Sequence, residues 1–131
     1  MSKDVEIKEV MTHCPHSIGL DQNLDTVKHM FMEYDIRHLP VQKAGKLVGI
    51  LSDRDVNFAI AMDQKEPEQI FVKDVYTAEP FVVSHDEPVS NVSEKMASEH
   101  LGCALVTEGG KLSGIFTTVD ACKLLTKSLR S

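Results

Sequence analysis

The sequence predicts an α+β protein made of two copies of one β-α-β-β-α unit, and three observations carry that prediction. "GKLVGILSDRD" from Gly45 and "GKLSGIFTTVD" from Gly110 are near copies, offset by 110 − 45 = 65 residues. The same offset pairs Val10 with Val75, Thr12 with Thr77, Pro15 with Pro80, Asp21 with Asp86, Val27 with Val92 and Val41 with Val106, with no gap. Within each copy the apolar period switches between helical and strand spacing in the same order. Self-similarity at a fixed offset marks a duplicated supersecondary unit. A unit half the size of an ordinary domain buries too little surface alone, so the copies are expected to pack on each other. The expected boundaries are 1–62 for the first repeat, 63–72 for a connecting segment and 73–131 for the second repeat.

The elements follow in order. A short strand at Ser17-Ile18 leads into an amphipathic helix over about 22–34, with Leu24, Val27, Met30, Phe31 and Tyr34 at helical spacing facing inward and Asp35 at its end. "HLPVQ" and "KLVGILS" bracket Ala44-Gly45, two short apolar runs around a turn, and predict a hairpin. Helical spacing resumes from Asp53 to Met62 through Val56, Ala59 and Ile60. "DQKEPEQIFVKDV" joins the copies, with Pro67 opening a short helix. The second copy repeats the order: a strand at 81–83, a helix with Val89, Val92 and Met96 inward, strands "CALVT" and "KLSGIFT", and a closing helix through Ala121, Leu124 and Leu125.

Composition bounds the function. At 131 residues, 42% hydrophobic and 26% charged, the chain has ordinary globular usage. The start "MSKDVEIKEV" mixes charges with single apolar residues, and no later run reaches spanning length, so no membrane partner and a cytoplasmic location are expected. Cys14, Cys103 and Cys122 are odd in number and form no C-x-x-C pair, which fits reduced thiols. A net charge of −6 argues against nucleic-acid binding, which needs a basic surface. His13, Cys14 and His16 have zinc-ligand chemistry, but a structural zinc takes four ligands and no second cluster matches, so the stretch is expected to be a loop and no metal is expected. Catalysis by a cysteine lacks a repeated Cys-His pair. Cys103 and Cys122 are expected in the core, as are Met30, Met32 and Met96.

The order "VMT", "IRHLPV", "GKLVGILSDRDV" resembles the CBS domain, and the chain from about Val10 to Leu125 resembles a tandem CBS pair. The resemblance implies two units about a pseudo-twofold axis, two potential sites, and a dimer of pairs. It also implies regulation rather than catalysis: binding of AMP, ADP, ATP or S-adenosylmethionine, with no cofactor required, and a report to an effector protein.

The candidate site centres on Ser52-Asp53-Arg54-Asp55 and Thr117-Thr118-Val119-Asp120, both [Ser/Thr]-x-x-Asp between a strand and a helix. Such a motif is a capping box that needs no ligand. The same geometry offers free N–H groups and positive potential to an anion. The resemblance assigns Asp55 and Asp120 to ribose hydroxyls and Ser52 and Thr117 to phosphate. It places adenine against the segments opening the central strands: Arg37, His38 and Pro40 in the first copy, and Gly102, Cys103 and Leu105 in the second. Ile18 and Val83 complete the expected ligand-lining set. Arg54 adds a guanidinium for an anion where the second copy has Val119, so more charge is expected at the first site. Three classes remain: a nucleotide-sensing module, a ligand-free dimerisation or docking scaffold, and an enzyme, for which a base-and-nucleophile constellation is missing.

Overall fold

The computed structural model describes residues 4–131. In chain order the elements are β1 (Thr12–His13), β2 (Ile18–Gly19), α1 (Leu24–Tyr34), β3 (His38–Lys43), β4 (Lys46–Ser52), α2 (Asp53–Asp63), β5 (Thr77–Ala78), β6 (Val82–Ser84), α3 (Val89–Ser98), β7 (Cys103–Glu108), β8 (Lys111–Thr117) and α4 (Thr118–Arg130). Turns of 3₁₀ helix at Ile7–Glu9, Pro67–Gln69 and Val72–Asp74 complete the list. The mixed α+β class and both β-α-β-β-α units are present as expected. Helix α1 starts where the Asn23 side chain accepts the Thr26 N–H at 3.0 Å, and stops at Asp35, whose φ of 51° breaks the helical path. Ala44 and Gly45 have φ of 50° and 78°, the doubly left-handed turn that matches the twist of a tight hairpin. Gly109 and Gly110 repeat it with 59° and 80°.

The chain forms two compact units, one of His16–Pro80 and the other of the described residues through Pro15 together with Phe81–Ser131. Their limits differ from the repeat boundaries because the leader of each copy builds into the unit that holds the other copy's hairpin. In the His16–Pro80 unit the sheet order is β2-β3-β4-β5, with β2 parallel to β3 and β5 pairing Gly49 with Ala78 and Ile50 with Thr77. The Val72 N–H donates to Gln22 O at 2.9 Å, and Ile70 and Val72 join a core of Leu24, Val27, Phe31, Leu39, Val41, Leu51 and Val56. Residues 63–72 thus supply core as well as connection.

In the other unit the order is β1-β8-β7-β6, with Thr12 opposite Ile115. The Ile7 N–H donates to Glu87 O at 2.8 Å, and Ile7 sits in a core with Val89, Val92, Met96, Ala104, Val106 and Phe116. Gly49 and Gly114 are where the leaders lie against the hairpins. A Cβ on Gly49 would stand 2.4 Å from Thr77 O, and one on Gly114 would stand 2.2 Å from Met11 Sδ.

Five residues depart from expectation. Tyr34 lies at the last turn of α1, 41% exposed, and stacks on His16 with centroids 3.7 Å apart instead of entering the core. Met32, one position past the buried Phe31, turns outward and is 82% exposed. Cys122 and Leu125 are exposed because α4 lays only Ala121 and Leu124 against its core. His13 is a strand residue of β1, not part of a loop.

Candidate functional site

The hairpin register builds the site. His38 pairs with Ser52 and Cys103 with Thr117, so in each copy the start of the first hairpin strand lies beside the end of the second, where the helix begins. Each junction is anchored by a backbone bond of 3.0 Å, from Asp53 N–H to Arg37 O in one copy and from Thr118 N–H to Gly102 O in the other. The expected residues Arg37, His38, Ser52, Arg54 and Asp55 are brought together, as are Gly102, Cys103, Thr117 and Asp120. Ile18 opposes Val41 and is packed in the core, Pro40 and Leu105 are buried within the strands, and half-buried Val83 pairs with Val106.

Both motifs are capping boxes. Ser52 Oγ accepts the Asp55 N–H at 3.1 Å while Asp55 Oδ2 accepts the Ser52 N–H at 3.0 Å. Thr117 Oγ1 accepts the Asp120 N–H at 3.2 Å, and Asp120 Oδ2 accepts from the Thr117 N–H at 2.9 Å and hydroxyl at 3.1 Å. The cap uses one carboxylate oxygen. Among the described residues Oδ1 of Asp55 and of Asp120 accepts no hydrogen bond, and both side chains are half-buried. Each therefore keeps acceptor capacity for a hydroxyl donor. Helix entry consumes the N–H groups of Asp53 and Asp55, and of Thr118 and Asp120, which leaves those of Arg54 and Val119 without a protein partner among the described residues.

The walls differ electrostatically. Burial pushes the His38 imidazole below its ordinary pKa, while the Asp53 and Asp55 carboxylates pull it back up, so burial wins and the ring is neutral near pH 7. At the matching position, burial pushes the Cys103 thiol up to about 12, so it is a neutral apolar wall and not a nucleophile. Arg37 Nη1 donates to Ile36 O at 3.1 Å and approaches Asp35 at 3.5 Å, while Nε lies 3.8 Å from Asp53. Arg54 is exposed and makes no ion pair among the described residues, and Val119 is 59% exposed. Sequence reasoning missed Asp53: its acidic side chain, inside the motif, holds Arg37 and biases His38.

The CBS domain model matches residues 7–62 and 72–127, and the chain belongs to the CBS-domain family as a tandem pair. Among solved structures it is similar to a Vibrio cholerae protein assigned to acetoin utilization (AcuB), with a TM-score of 0.90, 26% identity, and 98% and 97% of the two chains covered. It also shares its fold with the CBS domain pair of protein MJ0100 in complex with 5-methylthioadenosine and S-adenosyl-L-methionine, with a TM-score of 0.87, 23% identity, and 96% and 99% covered. CBSX2 in complex with AMP has the same fold at a TM-score of 0.78 and 20% identity, with 94% and 97% covered. The curated relatives are longer. The L-aspartate semialdehyde sulfurtransferase of Methanocaldococcus jannaschii is 30% identical over 120 residues, 90% of this chain but 23% of that protein. The chain spans about a quarter of such relatives, so their activities are those of proteins in which a matching region is one part. No helix among the described residues is long and apolar enough to cross a membrane.

Proposed function

We propose that this chain is a regulatory module that binds an adenosine-containing ligand, AMP, ADP, ATP or S-adenosylmethionine, and signals its presence to a partner protein in the cytoplasm without chemistry of its own. The observation that carries the reading is the doubled motif in which capping uses one carboxylate oxygen of Asp55 and of Asp120 and leaves the other for ribose hydroxyls. In this reading the Ser52 and Thr117 hydroxyls turn to a phosphate oxygen, Thr117 by redirecting the proton it now donates to Asp120 Oδ2, and Arg54 adds charge at the first copy only. The 5-methylthioadenosine, S-adenosylmethionine and AMP held by proteins of the same fold support the ligand class.

A ligand that binds only the folded state stabilises it by about 2.7 kcal/mol at a hundredfold excess over Kd. The test is therefore the melting temperature with millimolar AMP, ADP, ATP and S-adenosylmethionine in turn. A rise of several degrees with at least one supports the sensor, and an unmoved curve with all four removes it.

Exposed apolar side chains favour self-association alongside ligand binding, or, if no ligand binds, a dimerisation or docking scaffold. Helix α2 exposes Phe58 and Met62, and α4 exposes Val119, Leu125 and Leu129. Covering such residues by a second chain gives a twofold dimer. Light scattering is expected to report twice the chain mass of 14.6 kDa. A monomer at micromolar concentration, with and without nucleotide, would remove the dimer.

A further inference from the structure

The two motifs share a backbone and differ in what surrounds them. Each offers a carboxylate oxygen, on Asp55 or Asp120, and a backbone N–H, on Arg54 or Val119, that have no protein partner among the described residues. Features common to both copies serve the part common to their ligands. The differences are four: Arg37, His38, Asp53 and Arg54 become Gly102, Cys103, Thr118 and Val119 sixty-five residues on. Net charge does not separate the sites, since Asp35, Asp53 and Asp55 outweigh Arg37 and Arg54 by one, as Asp120 alone does in the second copy. What separates them is whether a cation and a hydroxyl proton are free to meet a phosphate.

At the first site both are free. Arg37 is already met by Asp35 at 3.5 Å and Asp53 at 3.8 Å, but Arg54 is exposed and makes no ion pair among the described residues. Its guanidinium sits one residue into α2, where it can pair with a phosphate at the helix start. Ser52 Oγ accepts the Asp55 N–H and donates to no acceptor among the described residues, so its proton is available as well. At the second site neither is free. Val119, 59% exposed, holds the place of Arg54, and Gly102 and Cys103 bring no charge. Thr117 Oγ1 donates to Asp120 Oδ2 at 3.1 Å, a bond that must be given up before the hydroxyl meets a phosphate. A phosphate drawn out of water there finds no cation, whereas an uncharged 5′ group covers the apolar surface of Val119.

We propose that the two copies divide the adenosine ligands between them: the first prefers a phosphorylated one, AMP or ATP, and the second prefers one whose 5′ substituent carries no phosphate. The division rests on the adenosine-ligand reading above and deepens it by naming the class each motif takes. Specificity is a difference of affinities, and here it lies in Arg54 against Val119 and in the Thr117 proton, while Asp55 and Asp120 hold the same ribose.

The experiment uses Asp120→Ala, which keeps the first site, and Asp55→Ala, which keeps the second, each titrated with adenosine, AMP and ATP. In Asp120→Ala, AMP and ATP are expected to bind at least tenfold more tightly than adenosine. In Asp55→Ala, adenosine is expected to bind at least tenfold more tightly than ATP. Adding Arg54→Val to the first variant should lower the ratio of ATP to adenosine affinity at least tenfold, and adding Val119→Arg to the second should raise it as much. Both exchanged side chains are exposed, so unchanged melting curves confirm that these variants fold. The same order of affinities in Asp55→Ala and Asp120→Ala overturns the division while leaving adenosine sensing in place, and so does a ratio that neither exchange moves. Binding of all three ligands that neither aspartate variant alters overturns it too, because no site would then depend on its own motif. A wild-type chain that binds none of the three removes nucleotide sensing and the division with it.

Discussion

Replacing Gly49 by alanine tests the building of 63–80 into the unit that contains the first hairpin. A Cβ there would stand 2.4 Å from Thr77 O and 2.4 Å from Tyr76 Cδ2, and the closer obstacle that matters is backbone. To reach even 3.0 Å the two strands must part by 3.0 − 2.4 = 0.6 Å, at the residue that pairs with Ala78. A ring can swing away; a paired carbonyl cannot move without opening the β4–β5 ladder. Overpacking of this kind costs roughly 1–3 kcal/mol. At roughly 4 °C per kcal/mol for a chain of this length, the melting temperature should fall by about 4–12 °C. Gly114→Ala is the informative companion, because its obstacle is the Met11 side chain, which has rotamers to use, and a smaller loss is expected. Calorimetric melting of both variants measures the difference. A Gly49→Ala protein that melts within a degree of wild type would mean that Tyr76 and Thr77 do not lie against β4, and the exchange of leaders would be wrong.

Three further outcomes follow from the site. His38 has a folded pKa below its ordinary 6.5, so the unfolded chain takes up a proton that the folded chain resists. Stability from this group is whole above pH 6.5 and falls as pH drops below it, and His38→Gln should flatten that acid-side loss in melting curves taken from pH 7.5 to 5.5. Cys103, at about 12, holds on the order of 10³-fold less thiolate at pH 8 than an ordinary thiol, so intact-mass spectra during iodoacetamide treatment should show two fast additions, at Cys14 and Cys122, and one slow. Ser52→Ala and Thr117→Ala each lose a cap and should cost about 1 kcal/mol in chemical denaturation, additively if the two copies are energetically independent.

The duplicated β-α-β-β-α order was legible because it rests on local signals: helical spacing at 24, 27 and 31, the Ala44-Gly45 turn, and Ser or Thr before each closing helix. The two-residue strands β1 and β5 were not, since a pair of residues in a ladder has no period of its own and is fixed by a partner far along the chain. For the same reason a constant offset of 65 reveals two copies but not which core each leader enters. Gly49 and Gly114 stood at matching positions in the repeated phrase, and their shared lack of a Cβ was the available signal of close approach. Met32 misled because methionine is common in cores, although it falls one residue off the stripe. At the site, the motif and its cap could be read from residue type and spacing alone. The loss of basicity at His38 and of acidity at Cys103 could not, because both come from burial.

Isothermal titration with AMP, ADP, ATP and S-adenosylmethionine, on the wild-type chain and on Asp55→Ala and Asp120→Ala, tests adenosine-ligand sensing most directly. The wild type is expected to bind at least one of the four. Each variant should lose more than tenfold at its own site, since a charged acceptor removed from its donor costs about 1.5–3 kcal/mol. Binding that survives unchanged in both variants would remove the ribose assignment, and a wild-type chain that releases no heat with any of the four, at several temperatures, would contradict the sensing account itself.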